Sequence, residues 1–233
     1  YQFDASKGWD LSGKGFVNLA AQYLQRDATN RGGLDTRPLL FSSPPVRGTN
    51  ETEADFQTRF AALKATDDAR AVTNGVSRNN MIVGNSLSKN FGSFLNTEYS
   101  LSENAKAYLS TGYTRKTGEA AGFTRLPFQT TQIDVTIYPT GFLPFINTTV
   151  NDISIIGGVK GKALGWNYDL SNTYGQNNLG FDIDRTINAS YPAGTSPTSF
   201  YAGKLKFGQN TTNFDVNKRF DFQNKLSSLN MAY

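Results

Sequence analysis

The sequence contains no cysteine and no histidine. Without cysteine there is no disulfide framework and no thiolate nucleophile, and without either residue there is no Cys/His zinc site and no triad that depends on imidazole. Charge is also scarce, at 18% of residues against roughly 25% in ordinary globular chains. The 23 basic and 19 acidic residues are interspersed, so no basic run tracks a phosphate backbone, and nucleic acid is not an expected partner. No stretch approaches the ~18 consecutive apolar residues of a transmembrane helix. That last absence leaves a transmembrane barrel untouched, because barrel strands announce themselves only by weak alternation.

Aromatic residues make up 13% of the chain, amid many uncharged polar ones, and they recur with period two. From Asp152, one face carries Ile153, Ile155, Gly157, Val159, Gly161 and Ala163, and the other Ser154, Ile156, Gly158, Lys160 and Lys162. After Leu164-Gly165, Trp166, Tyr168, Leu170 and Tyr174 share a face, so the segment reads as a hairpin with a two-residue turn. Leu95, Thr97, Tyr99 and Leu101 alternate in the same way, as do Ala107 to Tyr113, Tyr1 to Ala5, Val17 to Tyr23, and Leu229 to Tyr233. Leu205 and Phe207 have a parity that Phe214 and Val216 do not share, which predicts a bulge or an early strand end there. The total is about eight strands.

Connections alternate between short (near residues 7–13, 102–104, 164–165 and 217–225) and long (about 26–90, 115–151 and 178–202). Compact soluble domains rarely carry several such long loops, whereas outer-membrane barrels combine short turns at one end with long loops at the other. Asn50 with Glu53 fits a capping box, and Phe56, Phe60 and Leu63 lie on one helical face, so the longest loop is expected to hold a helix. The expected fold is all-β: an antiparallel up-and-down transmembrane β-barrel segment with long extracellular loops and one short loop helix. The alternatives are a soluble β-sandwich of carbohydrate-binding type and a small structural outer-membrane barrel.

The segments GKGFVNLAAQYLQRDATNRGGLD, AGFTRLPFQTTQIDVTIYPTGFLPFINTTVND, GWNYDLSNTYGQNNLGFDIDRTINASYPAGTSPTSFYAGKLKFGQNTTNFDV and LNMAY resemble the barrel of TonB-dependent outer-membrane receptors. YPTGFLPFI followed by GWNYDLSNTYGQN is the more specific combination, and the resemblance covers nearly the whole chain apart from residues 42–79. It implies an outer-membrane active transporter in which a plug domain sits inside a barrel of ~22 strands. Energy would come from an inner-membrane TonB complex. The implied cargo is a scarce ligand: a siderophore-type metal chelate, a cobalamin-like molecule or a carbohydrate. On this reading residues 1–233 are an interior segment of the barrel domain, without its plug and later strands. The expected partners are the small-molecule ligand, the plug of the same parent chain, the TonB complex and outer-membrane lipid. No enzymatic activity, cofactor or metal is expected.

Ligand contact in such a receptor falls on long loops and the upper inner wall, where aromatic and charged side chains stack and pair. Arg125, Tyr138, Phe142, Asp182, Asp184 and Arg185 are the candidates. Their plain alternative is structural: Pro139 and Pro144 stiffen a loop that Phe142, Leu143 and Phe145 pack down, and the charges are solvated surface groups or weak pairs. Lys160, Lys162, Lys204 and Lys206 are expected on the lumen face, toward the plug, and Trp166, Tyr168 and Tyr174 at the lipid interface. Ile153, Ile155, Val159, Leu95 and Tyr99 are expected to face lipid. Asp152 with Asp169 offers carboxylates without a catalytic spacing. The strand at Tyr1 is expected not to pair with the strand at Tyr233.

Overall fold

The computed structural model describes residues 1–222 and 228–233. The strands are β1 (Gln2–Asp10), β2 (Gly15–Arg26), β3 (Leu87–Ser102), β4 (Ala105–Ala121), β5 (Phe145–Ala163), β6 (Trp166–Asp184), β7 (Ser199–Asp221) and β8 (Ser228–Ala232), with a helix, α1 (Glu53–Thr73), between β2 and β3. They form one eight-stranded sheet in which each strand pairs antiparallel with its neighbours in sequence. There is no second sheet among the described residues, so the architecture is not a sandwich. β1 pairs only with β2, and β8 only with β7.

A meander of this kind puts the short connections at one end and the long ones, residues 27–86, 122–144 and 185–198, at the other. The strands reach further into two of the expected loops than the sequence suggested, because β4 runs on to Ala121, β5 starts at Phe145, and β6 and β7 extend to Asp184 and from Ser199. The β5–β6 turn is Leu164-Gly165 as read, with φ of 52° and 78°, the doubly positive pair that a tight hairpin needs to match strand twist. β7 occupies the first part of the connection expected at 217–225, and the rest of it falls partly outside the described residues.

Paired residues in an antiparallel ladder share a face, so register sorts the side chains. Ile153 pairs with Tyr113 and Gln176, and following the ladder outward places Phe3, Trp9, Leu19, Tyr23, Phe91, Leu95, Tyr99, Leu109, Ile155, Val159, Leu170 and Phe214 on the same side. None of these is buried; Phe3, Trp9 and Leu170 are 68%, 47% and 49% exposed. The polar members Asn172, Asn210 and Thr212 satisfy one another. The opposite face carries Asp4, Gln22, Gly92, Ser110, Gly112, Ser154, Gly158, Ser171 and Gly175, with Phe94 and Ile156 as its exposed apolar side chains at mid-sheet. The depressions of the sheet open on this Ser154 face, which makes it the concave one.

Toward the long loops the two faces exchange character. On the Ile153 face, Tyr23, Phe91, Tyr113, Ile153 and Tyr174 are followed by Gln25, Lys89, Arg115, Asn151 and Gln176. On the Ser154 face, Asp152 gives way to Val150 and Ile146, and Asn177 to Leu179, Phe181 and Ile183. The exchange corrects one expectation. β7 is continuous through Leu205–Val216, with no bulge between them, and its one register shift lies higher, between Phe181 and Asp182 on β6. Leu205 and Phe207 differ in parity from Phe214 and Val216 because the apolar side of the strand switches at that height. Lys204 and Lys206, paired with Gly180 and Asn178, therefore fall on the Ile153 face, opposite Lys160 and Lys162. The four lysines, expected together on one face, are thus divided between the two faces of the sheet.

Among the described residues the buried apolar side chains, Leu39, Leu40, Phe41, Leu126, Ile133, Phe142 and Phe145, all belong to the loop-bearing end. Leu40, Phe41 and Leu126 form one cluster across two loops, with Ala71 and Val76 of the helical segment against it. Asp67 of α1 anchors it from a site 2% exposed, accepting backbone N–H bonds from Leu40 (2.7 Å), Phe41 (2.9 Å) and Ser42 (2.8 Å). The helix cap lies two residues later than the expected Asn50: Thr52 Oγ1 accepts from the Asp55 amide and donates to its carboxylate. Asp35, also buried, accepts from both sides of the Arg37 guanidinium and from Asn80. Arg37 foremost, with Asn80, holds the Asp35 carboxyl down at about 2, against the opposing effect of burial.

Candidate functional site

The upper concave wall is a cross-strand row in which Ala120, Ile146, Ile183 and Phe200 stand side by side on β4, β5, β6 and β7. The 122–144 loop and the 185–198 loop rise around it and enclose an open cavity of about 910 Å³. Ile146, Ile183 and Phe200 supply the floor, Phe123, Phe142, Pro144 and Ile187 the apolar walls, and Arg125, Thr131, Gln132, Thr186 and Asn188 the polar ones.

Neighbouring residues fix the place of Arg125. Thr124 is buried and donates to the Asn80 carbonyl, and Leu126 is buried in the loop cluster. Extended backbone alternates, so with 124 and 126 committed to the first loop, Arg125 faces the cavity. Its backbone is held by a two-way bridge to Phe142 (2.8 and 3.0 Å). That bridge requires glycine at 141, where φ is +88° and a Cβ would sit 2.4 Å from the Arg125 carbonyl oxygen. Tyr138 packs on the Phe142 ring with centroids 4.6 Å apart.

The two walls are tied by Asp134, which accepts from the Gly194 amide (2.6 Å) and from the Thr136 hydroxyl and amide (2.6 and 2.9 Å). The Thr136 hydroxyl, with the Gly194 amide second, keeps this carboxyl below its ordinary value.

Of the six candidate residues, the fold brings together Arg125, Phe142 and Tyr138, the first two lining the cavity. The other three stand apart. Asp182 and Asp184 pair with Tyr201 and Ser199 on the opposite side of the sheet, and Asp184 accepts from Asn147 and Ser199, each at 2.5 Å. Arg185 lays its guanidinium 4.3 Å over the buried Phe145 ring, a packing role. Ile146, Ile183 and Phe200 were not singled out from the sequence because they fell inside segments read as loops. The signal was there, since Ile146 and Ile183 continue the alternation of their strands on the side opposite Ile153 and Tyr174.

Near the short-turn end of the concave face, Glu98 bridges Lys106 (2.8 Å) and Lys160 (2.7 Å). Lys160 also stands 5.3 Å from the Tyr108 ring centre, and the Tyr108 hydroxyl donates to Asp169 (2.7 Å). Lys162 lines the neighbouring depression with Asp215. Asp169 pairs with Lys160, whereas Asp152 pairs with Asn177. The two carboxylates are therefore eight rungs, or roughly 27 Å, apart, and do not form an acid/base pair. Comparison with protein families, curated proteins and solved structures returns no match for this chain.

Proposed function

We propose that the chain is part of the barrel of a TonB-dependent outer-membrane receptor, and that it binds and helps import a scarce small molecule through the outer membrane. The observation that carries the reading is the exchange of polarity along the strands. A face with a dozen exposed aromatic and aliphatic side chains is untenable in water: each is worth about 1.5–3 kcal/mol on burial, and together they exceed the ~5–15 kcal/mol that holds a domain folded. Lipid is the partner that covers such a face without a second protein layer.

The band has the right height. Tyr1 and Trp9, Phe91 and Tyr99, and Trp166 and Tyr174 are each eight positions apart on the Ile153 face. That is about 27 Å along a strand, or roughly 20 Å of height at the ~40° tilt of transmembrane strands, comparable to the apolar band between aromatic girdles. Above it the outer side turns polar, as it must in water, and the inner wall turns apolar, where loops and ligand gather. The small, polar Ser154 face below suits a wide lumen occupied by a plug, with the Lys160–Glu98–Lys106 group on its wall. The absence of β1–β8 pairing among the described residues favours an arc of a larger barrel over a small closed one, because an open edge in lipid leaves backbone groups unsatisfied at several kcal/mol each.

With no native cysteine to remove, single Ile155→Cys and Ser154→Cys variants take a fluorophore cleanly. With the labelled parent protein in vesicles, brominated lipid is expected to quench the label at 155 and leave the label at 154 to aqueous iodide. Equal quenching at both positions overturns the membrane reading. Uptake of ferric chelates, cobalamin and oligosaccharides by cells carrying the parent protein, with and without TonB, tests the transport reading. Uptake that ignores TonB overturns it.

A further inference from the structure

Resting on that reading, we infer that the cavity between the 122–144 and 185–198 loops binds a single-anion amphiphile: a drug-sized molecule with a largely apolar, aryl or acyl body and one carboxylate or equivalent acid. The lining divides into an apolar majority and one cation. Ile146, Ile183 and Phe200 form a continuous apolar floor, Phe142 is packed at 9% exposure against the wall, and Phe123 stands 79% exposed at the mouth. No carboxylate lines the cavity, and Arg125 takes part in none of the ion pairs among the described residues.

A guanidinium held beside apolar walls and left without a protein anion selects a ligand that brings one, because the charge-assisted pair strengthens where water is thinned out. The remaining polar side chains, Thr131, Gln132, Thr186 and Asn188, are neutral and outnumbered by the apolar ones. A carbohydrate needs many directed partners for its hydroxyls and would leave them unpaired against isoleucine and phenylalanine. A chelate carrying several charges would meet only one cation. A volume near 910 Å³ is in the range of drug-sized ligand sites.

The test is equilibrium dialysis of naphthalene-2-carboxylate and its neutral match naphthalene-2-carboxamide against the intact protein in lipid nanodiscs, with empty nanodiscs subtracted. The carboxylate is expected to bind at least about tenfold tighter than the carboxamide. Arg125→Gln should erase that difference, and Arg125→Lys should keep most of it. Equal binding of the two probes to the native protein, an unaltered preference in Arg125→Gln, or tighter retention of maltohexaose than of the carboxylate each overturns the proposal. Amide exchange at Leu40–Ser42 checks that the loop core of each variant is intact. The lipid-quenching result at Ile155 is independent: if it holds while dialysis fails, only the ligand class falls, and if it fails the receptor reading falls first.

Discussion

On β6, the residues sharing the Ile153 face change from Trp166, Tyr168 and Leu170 at one end to Gln176, Asn178 and Asp182 at the other, while Leu179, Phe181 and Ile183 occupy the opposite side at that height. The same strand thus belongs to two regions held by different means. The lower region is a single layer without a buried apolar side chain among the described residues, stabilised by ladder hydrogen bonds and by whatever covers its Ile153 face. The loop-bearing region carries its own core, built on Leu40, Phe41 and Leu126 and pinned by buried carboxylates. The lesson is that the upper region is self-sufficient and the lower one depends on its solvent.

The largest expected effect tests the self-sufficient half. Asp67→Ala strands two buried backbone donors and a half-buried third and should cost about 3–5 kcal/mol of loop stability, read as lost exchange protection at Leu40, Phe41 and Ser42 with the mid-sheet amides unchanged. A uniform loss through both regions would show that they unfold together and erase the distinction. Next, in the sheet, Ile155→Arg should cost about 2–4 kcal/mol in vesicle unfolding, whereas Ser154→Arg on the other face should cost about 1 kcal/mol or less.

The pH response should also be confined to the upper region. The folded carboxyl of Asp35 lies at about 2 rather than 3.8, so the stability it contributes is complete above pH ~4 and disappears as pH falls through about 2. The loss is about 2 kcal/mol, measurable as acid-induced exchange around Asp35 that Asp35→Asn removes. Smallest is Gly141→Ala, whose strained φ and close approach to the Arg125 carbonyl should cost about 1–2 kcal/mol, seen as faster exchange at the Phe142 amide.

Much of the sheet was legible because the β5–β6 hairpin announces itself: period two is unbroken on both sides of Leu164-Gly165, and the register found there is the one the alternation requires. β7 was read less well for an instructive reason. Its parity break looked like a bulge, and only the pairing with β6 shows that the ladder is regular and the environment changes. The same switch separates Lys204 and Lys206 from Lys160 and Lys162, with which the alternation had grouped them. In the site, Arg125, Tyr138 and Phe142 stood out by residue type, but nothing local told them apart from Asp182, Asp184 and Arg185.

By itself the sequence determined the composition that excludes thiol and imidazole chemistry, the eight alternating segments, and the rhythm of short and long connections. These depend on neighbours one and two residues apart, and such information is local. Which residues line one cavity was decided only by the tertiary structure. Ala120, Ile146, Ile183 and Phe200 meet across four strands, and Arg125 is turned toward them by the commitments of Thr124 and Leu126 to a different loop. A cross-strand row is fixed by register, and register is a property of pairs of strands that no single segment contains.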